Sequence, residues 1–199
     1  MAAIVILAGG ASKRMGRDKL MLDIDGMTLL ESAALKFEAE FGRVYISVSD
    51  NGKYPYIRAE KIADVRKGAG PLSGLHAALS SPILNDSSDG VFLVAADLPY
   101  ASPKAARRII ELCAGYDACI IRLPDGKIEP LFGCYKKALL PLCEEALDSG
   151  DNRMSEVLFK ANTRFIAPEA LGEFWDDKLI FNINYPDDYL QVKTAKEYP

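Results

Sequence analysis

The first nineteen residues constrain this chain most. Ala3 to Leu7 is a short apolar run, and Gly9, Gly10 and Gly16 follow it, with Lys13, Arg14, Arg17 and Lys19 set among and just after them. A buried strand feeding a glycine-rich, cation-rich loop is a physical recipe for holding phosphates. Glycine lets the backbone approach closely and take positive φ. Successive amides can form an anion-binding concavity, and the cations offset phosphate charge. The same glycines would also suit a tight strand-to-helix turn. The basic residues packed between them carry the functional reading.

Two familiar phosphate loops are excluded by spacing. The P-loop needs G-x-x-x-x-G-K-[ST], but here Gly10 and Gly16 are too far apart and Arg17 follows the second. The dinucleotide pattern G-x-G-x-x-G fails because Gly9 and Gly10 are adjacent.

Downstream, strands and helices alternate. Leu20 to Ile24 is a short apolar segment closed by an Asp25-Gly26 turn. Thr28 and Glu31 form a capping-box pair ahead of a helix over Leu29 to Phe41. Val44 to Val48 reads as a second strand, ending in the turn residues Ser49-Asp50-Asn51-Gly52. A third is expected at Lys61 to Ala63, just before Asp64. Pro71 can open a helix that continues over Leu72 to Leu79. Val91 to Ala95 is continuously apolar, as expected of a central strand with helices on both sheet faces. Ser102-Pro103 starts a helix running to about Ala114. Strands follow at Ala118 to Arg122 and Leu131 to Tyr135, then helices at Lys137 to Leu147 and Ser155 to Ala161. Thr163 to Ala167 reads as a further strand, Leu179 to Ile183 as an apolar segment on which, as a strand, Asn182 and Asn184 would face the same side, and Pro186 to Glu197 as a closing helix. The order indicates one α/β domain over residues 1–199 with an open, mostly parallel sheet.

Two aspartates have the placement that open α/β sheets give to ligand contacts. Asp97 follows Val91–Ala95, and Asp64 follows the third strand. Magnesium takes one or two carboxylates with phosphate oxygens and water. Equally, either aspartate could bond turn amides. The net charge of −4 argues against a nucleic-acid binder. Cys113, Cys119, Cys134 and Cys143 form no C-x-x-C pair, and His76 is the only histidine, so a zinc site is not expected. The thiols are expected to be reduced and mostly buried, and His76 to be structural. With no secretory pattern and no membrane-length apolar run, a cytoplasmic protein is expected.

From Leu7 to Lys19 the chain reads L-A-G-G-x-S-x-R-M-G-x-D-K. This resembles the signature loop of the molybdenum cofactor guanylyltransferases, within the wider nucleotidyltransferase group. Four further segments are similar to that family: Gly70-Pro71-Leu72-Ser73-Gly74, Asp97-Leu98-Pro99, Glu129-Pro130-Leu131-Phe132-Gly133-x-Tyr135, and Asn182-Ile183-Asn184-Tyr185-Pro186-Asp187-Asp188. In the last, Tyr185 replaces the usual threonine.

The resemblance implies a three-layer, Rossmann-like fold of nucleotide-diphosphosugar-transferase type. It implies transfer of GMP from GTP to molybdopterin, with release of pyrophosphate. Asp97 would hold Mg2+. Arg14 and Lys19 would stabilise the triphosphate. Leu7, Ala8 and Gly9 would meet the nucleotide through backbone groups, with Asp64 as a further contact. The partners implied are GTP, molybdopterin and other molybdenum cofactor biosynthesis or delivery proteins. A cytidylyltransferase, another small-metabolite nucleotidyltransferase and a non-catalytic delivery factor remain open from sequence.

Overall fold

Strand β1 (Ala3–Leu7) is buried at all five positions because helices cover both faces of the sheet it centres. The computed structural model describes residues 2–9, 18–82 and 89–197. After β1 come a 3-10 turn at Lys19–Met21, a small hairpin of β2 (Asp23–Ile24) and β3 (Met27–Thr28), and α1 (Leu29–Phe41). Then follow β4 (Val44–Val48), β5 (Glu60–Ala63), α2 (Pro71–Ser80), β6 (Val91–Ala95) and α3 (Pro103–Leu112). The second half holds β7 (Ala118–Arg122), β8 (Ile128–Tyr135), α4 (Leu140–Ser149), α5 (Met154–Lys160), β9 (Thr163–Ile166) and α6 (Pro186–Glu197).

The main sheet has seven strands in the order β5-β4-β1-β6-β8-β7-β9. β8 runs antiparallel to β6 and β7, and the remaining pairings are parallel. The mostly parallel α/β expectation therefore holds. Side-chain alternation along β1 separates the two helical layers. Ile4 and Ile6 pack with Leu30 and Phe37 of α1 and Ile109 of α3. Ala3, Val5 and Leu7 pack with Leu72 and Leu75 of α2, Cys143 of α4 and Val157 of α5. A smaller cluster joins Leu22, Ile24 and Leu29 to Ile183 and Val192.

Local chemistry explains the element ends. Thr28 Oγ1 accepts from the Glu31 amide at 3.2 Å, and Glu31 Oε2 accepts from the Thr28 amide at 2.8 Å, completing the capping box of α1. The β2–β3 hairpin turns on Asp25 (φ 59) and Gly26 (φ 81), the pair of positive φ angles that a two-residue hairpin favours.

Three expectations need correction. β8 begins at Ile128 rather than Leu131. The register with β7 shifts between Ile120 and Ile121, so Pro130 falls in a bulge where its missing N–H removes no ladder bond. The helix expected from Lys137 is a 3-10 turn, Lys137–Leu139, with α4 starting only at Leu140. Pro141 has no amide to give to the carbonyl four residues back. Leu179 to Ile183 is not a strand: Asp176 draws it into turns, accepting from the Lys178 amide on its side chain at 2.7 Å and from the Leu179 amide on its carbonyl at 2.8 Å.

All four cysteines are free and buried, as expected. Among the described residues no helix is long and apolar enough to cross a membrane.

Candidate active site

The crevice lies where the topology divides. From β1 the sheet grows toward β4 on one side and toward β6 on the other, so the loops at these carboxyl ends part and leave a gap. Leu7 stands opposite Ser47 of β4 and Ala95 of β6 in register. Beyond the strands the ladder continues: the Ala8 amide donates to Ser47 O at 2.9 Å, and the Ala96 amide donates to Leu7 O at 3.1 Å. On the outer side the Asp64 amide donates to Val48 O at 2.9 Å. A cleft results, lined by Leu7, Gly9, Lys19, Ser47, Asp64, Gly70, Gly74 and Asp97 among others.

The expected residues Leu7, Gly9, Lys19, Asp64 and Asp97 thus come together around one cleft. Ala8 is fully buried beneath it, tied to β4 by the bond above. Arg14 lies outside the described residues.

Lys19 is the hub. Asp18 caps the turn that begins at Lys19, its Oδ1 accepting from the Leu20 amide at 3.1 Å. The Lys19 ammonium pairs with Asp97 Oδ2. It also donates to Ile183 O at 3.1 Å and to Asn184 Oδ1 at 3.3 Å. An ammonium has three donors and no acceptor, so convergent oxygens suit it. Both Lys19 and Asp97 are largely buried, with side chains 17% and 15% exposed.

The other oxygen of Asp97 is unusual. Oδ1 is buried and has no hydrogen-bond partner among the described residues. A buried carboxylate oxygen left unmatched is costly, and a cation or donor at that point removes the cost. The donor chemistry fits magnesium, a hard cation bound by one carboxylate with the rest of its shell from phosphate oxygens and water. Among the described residues no cluster of three acidic, histidine or cysteine side chains could hold a metal alone.

Two more carboxyls sit near. Burial raises the pKa of Asp64, against the opposing pull of Lys67 and Lys53. Burial also raises that of Glu129, and the charge of Asp97 adds to the rise while the Leu131 amide opposes it. The second is a residue sequence reasoning quoted only as part of a motif. Its signal was the carboxylate beside Pro130 in a strand that returns next to β6.

The two asparagines separate. Asn182 turns back, its Nδ2 donating to Ile180 O at 3.2 Å, whereas Asn184 reaches Lys19. The expectation that both face one side rested on a strand that is absent. His76 packs in α2 with its Nε2 3.9 Å from Glu144, and burial lowers its pKa first, with Arg66 adding to the effect. It takes no part in the cleft.

The start of α2 closes the outer wall. Its cap is Gly70, with φ 61 and ψ −140, a conformation open to glycine. At Gly74 a Cβ would lie 2.4 Å from Leu7 Cδ2 and 2.7 Å from Ser47 Oγ. The glycine lets helix and sheet meet closely beneath the cleft. Gly74→Ala is expected to lower stability by about 1–3 kcal/mol through overpacking, read as a reduced Tm. An unchanged Tm would show that Leu7 and Ser47 can yield freely.

A slot walled by glycine backbone, a half-buried lysine and an under-bonded carboxylate suits chemistry at phosphorus. Together with the three-layer fold it defines a nucleotidyltransferase. More narrowly, the chain belongs to the family described as the MobA-like NTP transferase domain, whose model matches residues 4–164. A protein named "Probable molybdenum cofactor guanylyltransferase" from Pelotomaculum thermopropionicum is 31% identical over 196 residues, covering 97% of this chain and 92% of its own. One of the same name from Pyrococcus furiosus is 32% identical over 203 residues, covering 97% of each chain. Among solved structures, molybdopterin-guanine dinucleotide biosynthesis protein A from Archaeoglobus fulgidus superposes with a TM-score of 0.83 at 26% identity, over 99% of this chain and 100% of that one.

Proposed function

We propose that this nucleotidyltransferase moves GMP from GTP to molybdopterin and releases pyrophosphate. The observation that carries the proposal is the half-buried Lys19–Asp97 pair at the carboxyl ends of β1 and β6, with Asp97 Oδ1 left to accept a cation. The names of the relatives support the choice of GTP and molybdopterin.

The terminal phosphate of the pterin attacks the α-phosphorus of GTP in line, and pyrophosphate leaves. Such transfer needs positioning and charge neutralisation rather than a covalent protein intermediate. Bound Mg2+, held by Asp97, would neutralise charge on the triphosphate oxygens. Lys19 supplies positive charge where pyrophosphate departs, and the cation of Arg14 would add to it. Gly9, in the cleft wall, offers backbone groups to the nucleotide, and Leu7 and Ala8, bonded to β6 and β4, hold it in place. Asp64 offers an acceptor that matches the N–H donors on the guanine edge. Cytosine presents acceptors at its corresponding ring positions, so the same carboxylate would oppose it. We further propose one nucleotidyltransferase domain over residues 1–199, acting in the cytoplasm. One sheet drawing strands from both halves supports the first, and four buried free thiols support the second.

The test is an assay of purified protein with molybdopterin, magnesium and each nucleoside triphosphate, following pyrophosphate. GTP should exceed CTP at least about tenfold in kcat/KM, or about 1.4 kcal/mol of differential transition-state binding. Gly9→Ala should erode that preference. A Cβ at Gly9 meets no described atom within 4 Å, so it would enter the cleft rather than the protein. Equal use of both nucleotides by the wild type would exclude the guanylyl assignment and leave the class intact.

A further inference from the structure

Tyr54 lies in the loop between β4 and β5, outside every segment that carries the family resemblance. It is only 6% exposed and holds φ 50, a left-handed conformation that a residue with a bulky side chain adopts at a cost. Its ring meets Tyr56 edge-on at 6.2 Å between centroids. Packing alone would be served as well by phenylalanine. The hydroxyl, however, donates to Asp18 Oδ2 at 2.8 Å and lies 3.3 Å from Ala8 O. One buried group therefore ties together the two residues that flank 9–17.

Asp18 is thereby fixed through both oxygens. Oδ1 caps the turn and Oδ2 receives Tyr54, so rotation of the carboxylate would break one bond or the other. Lys19 is the next residue. Its flexible stem must bring one ammonium to Asp97, Ile183 O and Asn184 Oδ1 together. Where the backbone of the turn begins decides whether it can. We infer that Tyr54 is a positioning residue for the transfer reaction, acting through Asp18 to set the place of Lys19.

The inference rests on the role of Lys19 proposed above, and the experiment separates the two. Turnover is measured for wild type, Tyr54→Phe, Lys19→Ala and the double variant, with thermal unfolding alongside. Tyr54→Phe should lower kcat about tenfold, the equivalent of about 1.4 kcal/mol, with the KM for GTP nearly unchanged. In the Lys19→Ala background the same change should alter kcat by less than about twofold, since residues acting as one unit are not additive. Asp18→Asn, which leaves one acceptor oxygen where two are used, should reproduce that non-additivity and carries the test if Tyr54→Phe does not fold. Equal losses in both backgrounds, or full turnover in folded Tyr54→Phe, would overturn the tether alone. Unchanged turnover in Lys19→Ala would overturn the proposed site and the tether with it.

Discussion

Asp97→Ala should lower kcat roughly a thousandfold, about 4 kcal/mol of transition-state stabilisation, while the protein stays folded. The fold is expected to survive because the backbone at this point is held independently of the side chain. The Ala96 amide donates to Leu7 O at 3.1 Å, the Leu98 amide to Ala95 O at 3.3 Å, and the Ile183 amide to Asp97 O at 3.0 Å. Alanine keeps all three bonds. It removes a carboxylate whose Oδ1 has no hydrogen-bond partner among the described residues, so on that side no internal bond is lost. Lys19 keeps Ile183 O and Asn184 Oδ1. Stability should therefore change far less than turnover. Asp97→Asn preserves shape but not charge, and it should be nearly as damaging. A hard cation binds the charged carboxylate far better than the neutral amide. Pyrophosphate release with GTP, magnesium and molybdopterin, set beside thermal melts, reads both effects. A folded Asp97→Ala enzyme within about tenfold of wild type would remove Asp97 from the metal role, since that is too little for a lost Lewis-acid ligand.

How much of this was legible depended on sequence distance. β1 and β6 could be read directly, because burial on both faces forces continuous apolar runs such as Val91 to Ala95. The end of such a run then marks the carboxyl edge, which is how Asp97 stands out in the sequence. The capping box at Thr28 was equally local. What could not be read was pairing across the chain. Lys19 and Asn184 are 165 residues apart, and no periodicity links them. Nor does any pattern around Tyr54 announce that its hydroxyl reaches Asp18, 36 residues earlier.

Errors in the elements had physical causes too. The strand expected from Leu131 begins at Ile128, because the bulge opposite Ile120 and Ile121 absorbs Pro130, and the Tyr135 hydroxyl donates to Pro130 O across the irregular stretch. The 3-10 segment Pro168–Phe174 carries no apolar period. Gly172, with φ 58 and ψ −131, breaks it midway, so only two of its residues, Pro168 and Leu171, are buried. Such segments are set by what they cover.

The second large effect concerns Lys19. Lys19→Ala should lower kcat about a hundredfold while the KM for GTP changes by less than about fivefold, since removing one preorganised electrostatic stabiliser of developing charge costs that much in other enzymes. Its surroundings show why the loss should fall on turnover. The ammonium already sits against Asp97, held by Ile183 O and Asn184 Oδ1, so its place is set before substrate arrives. A charge fixed in place needs no reorganisation when the α–β bond breaks and negative charge builds on the departing oxygen. Ground-state affinity can be shared with the other groups that line the cleft, but that developing charge cannot. Lys19→Arg should fail to restore activity. A guanidinium is planar, and its donors diverge in a fork, whereas the acceptors around Lys19 converge on one point. The check is a comparison of kcat and KM for wild type, Lys19→Ala and Lys19→Arg under saturating molybdopterin. A change confined to KM would make Lys19 a ground-state binder only. Full rescue by arginine would show that charge alone matters there, and that the three-oxygen seat does not.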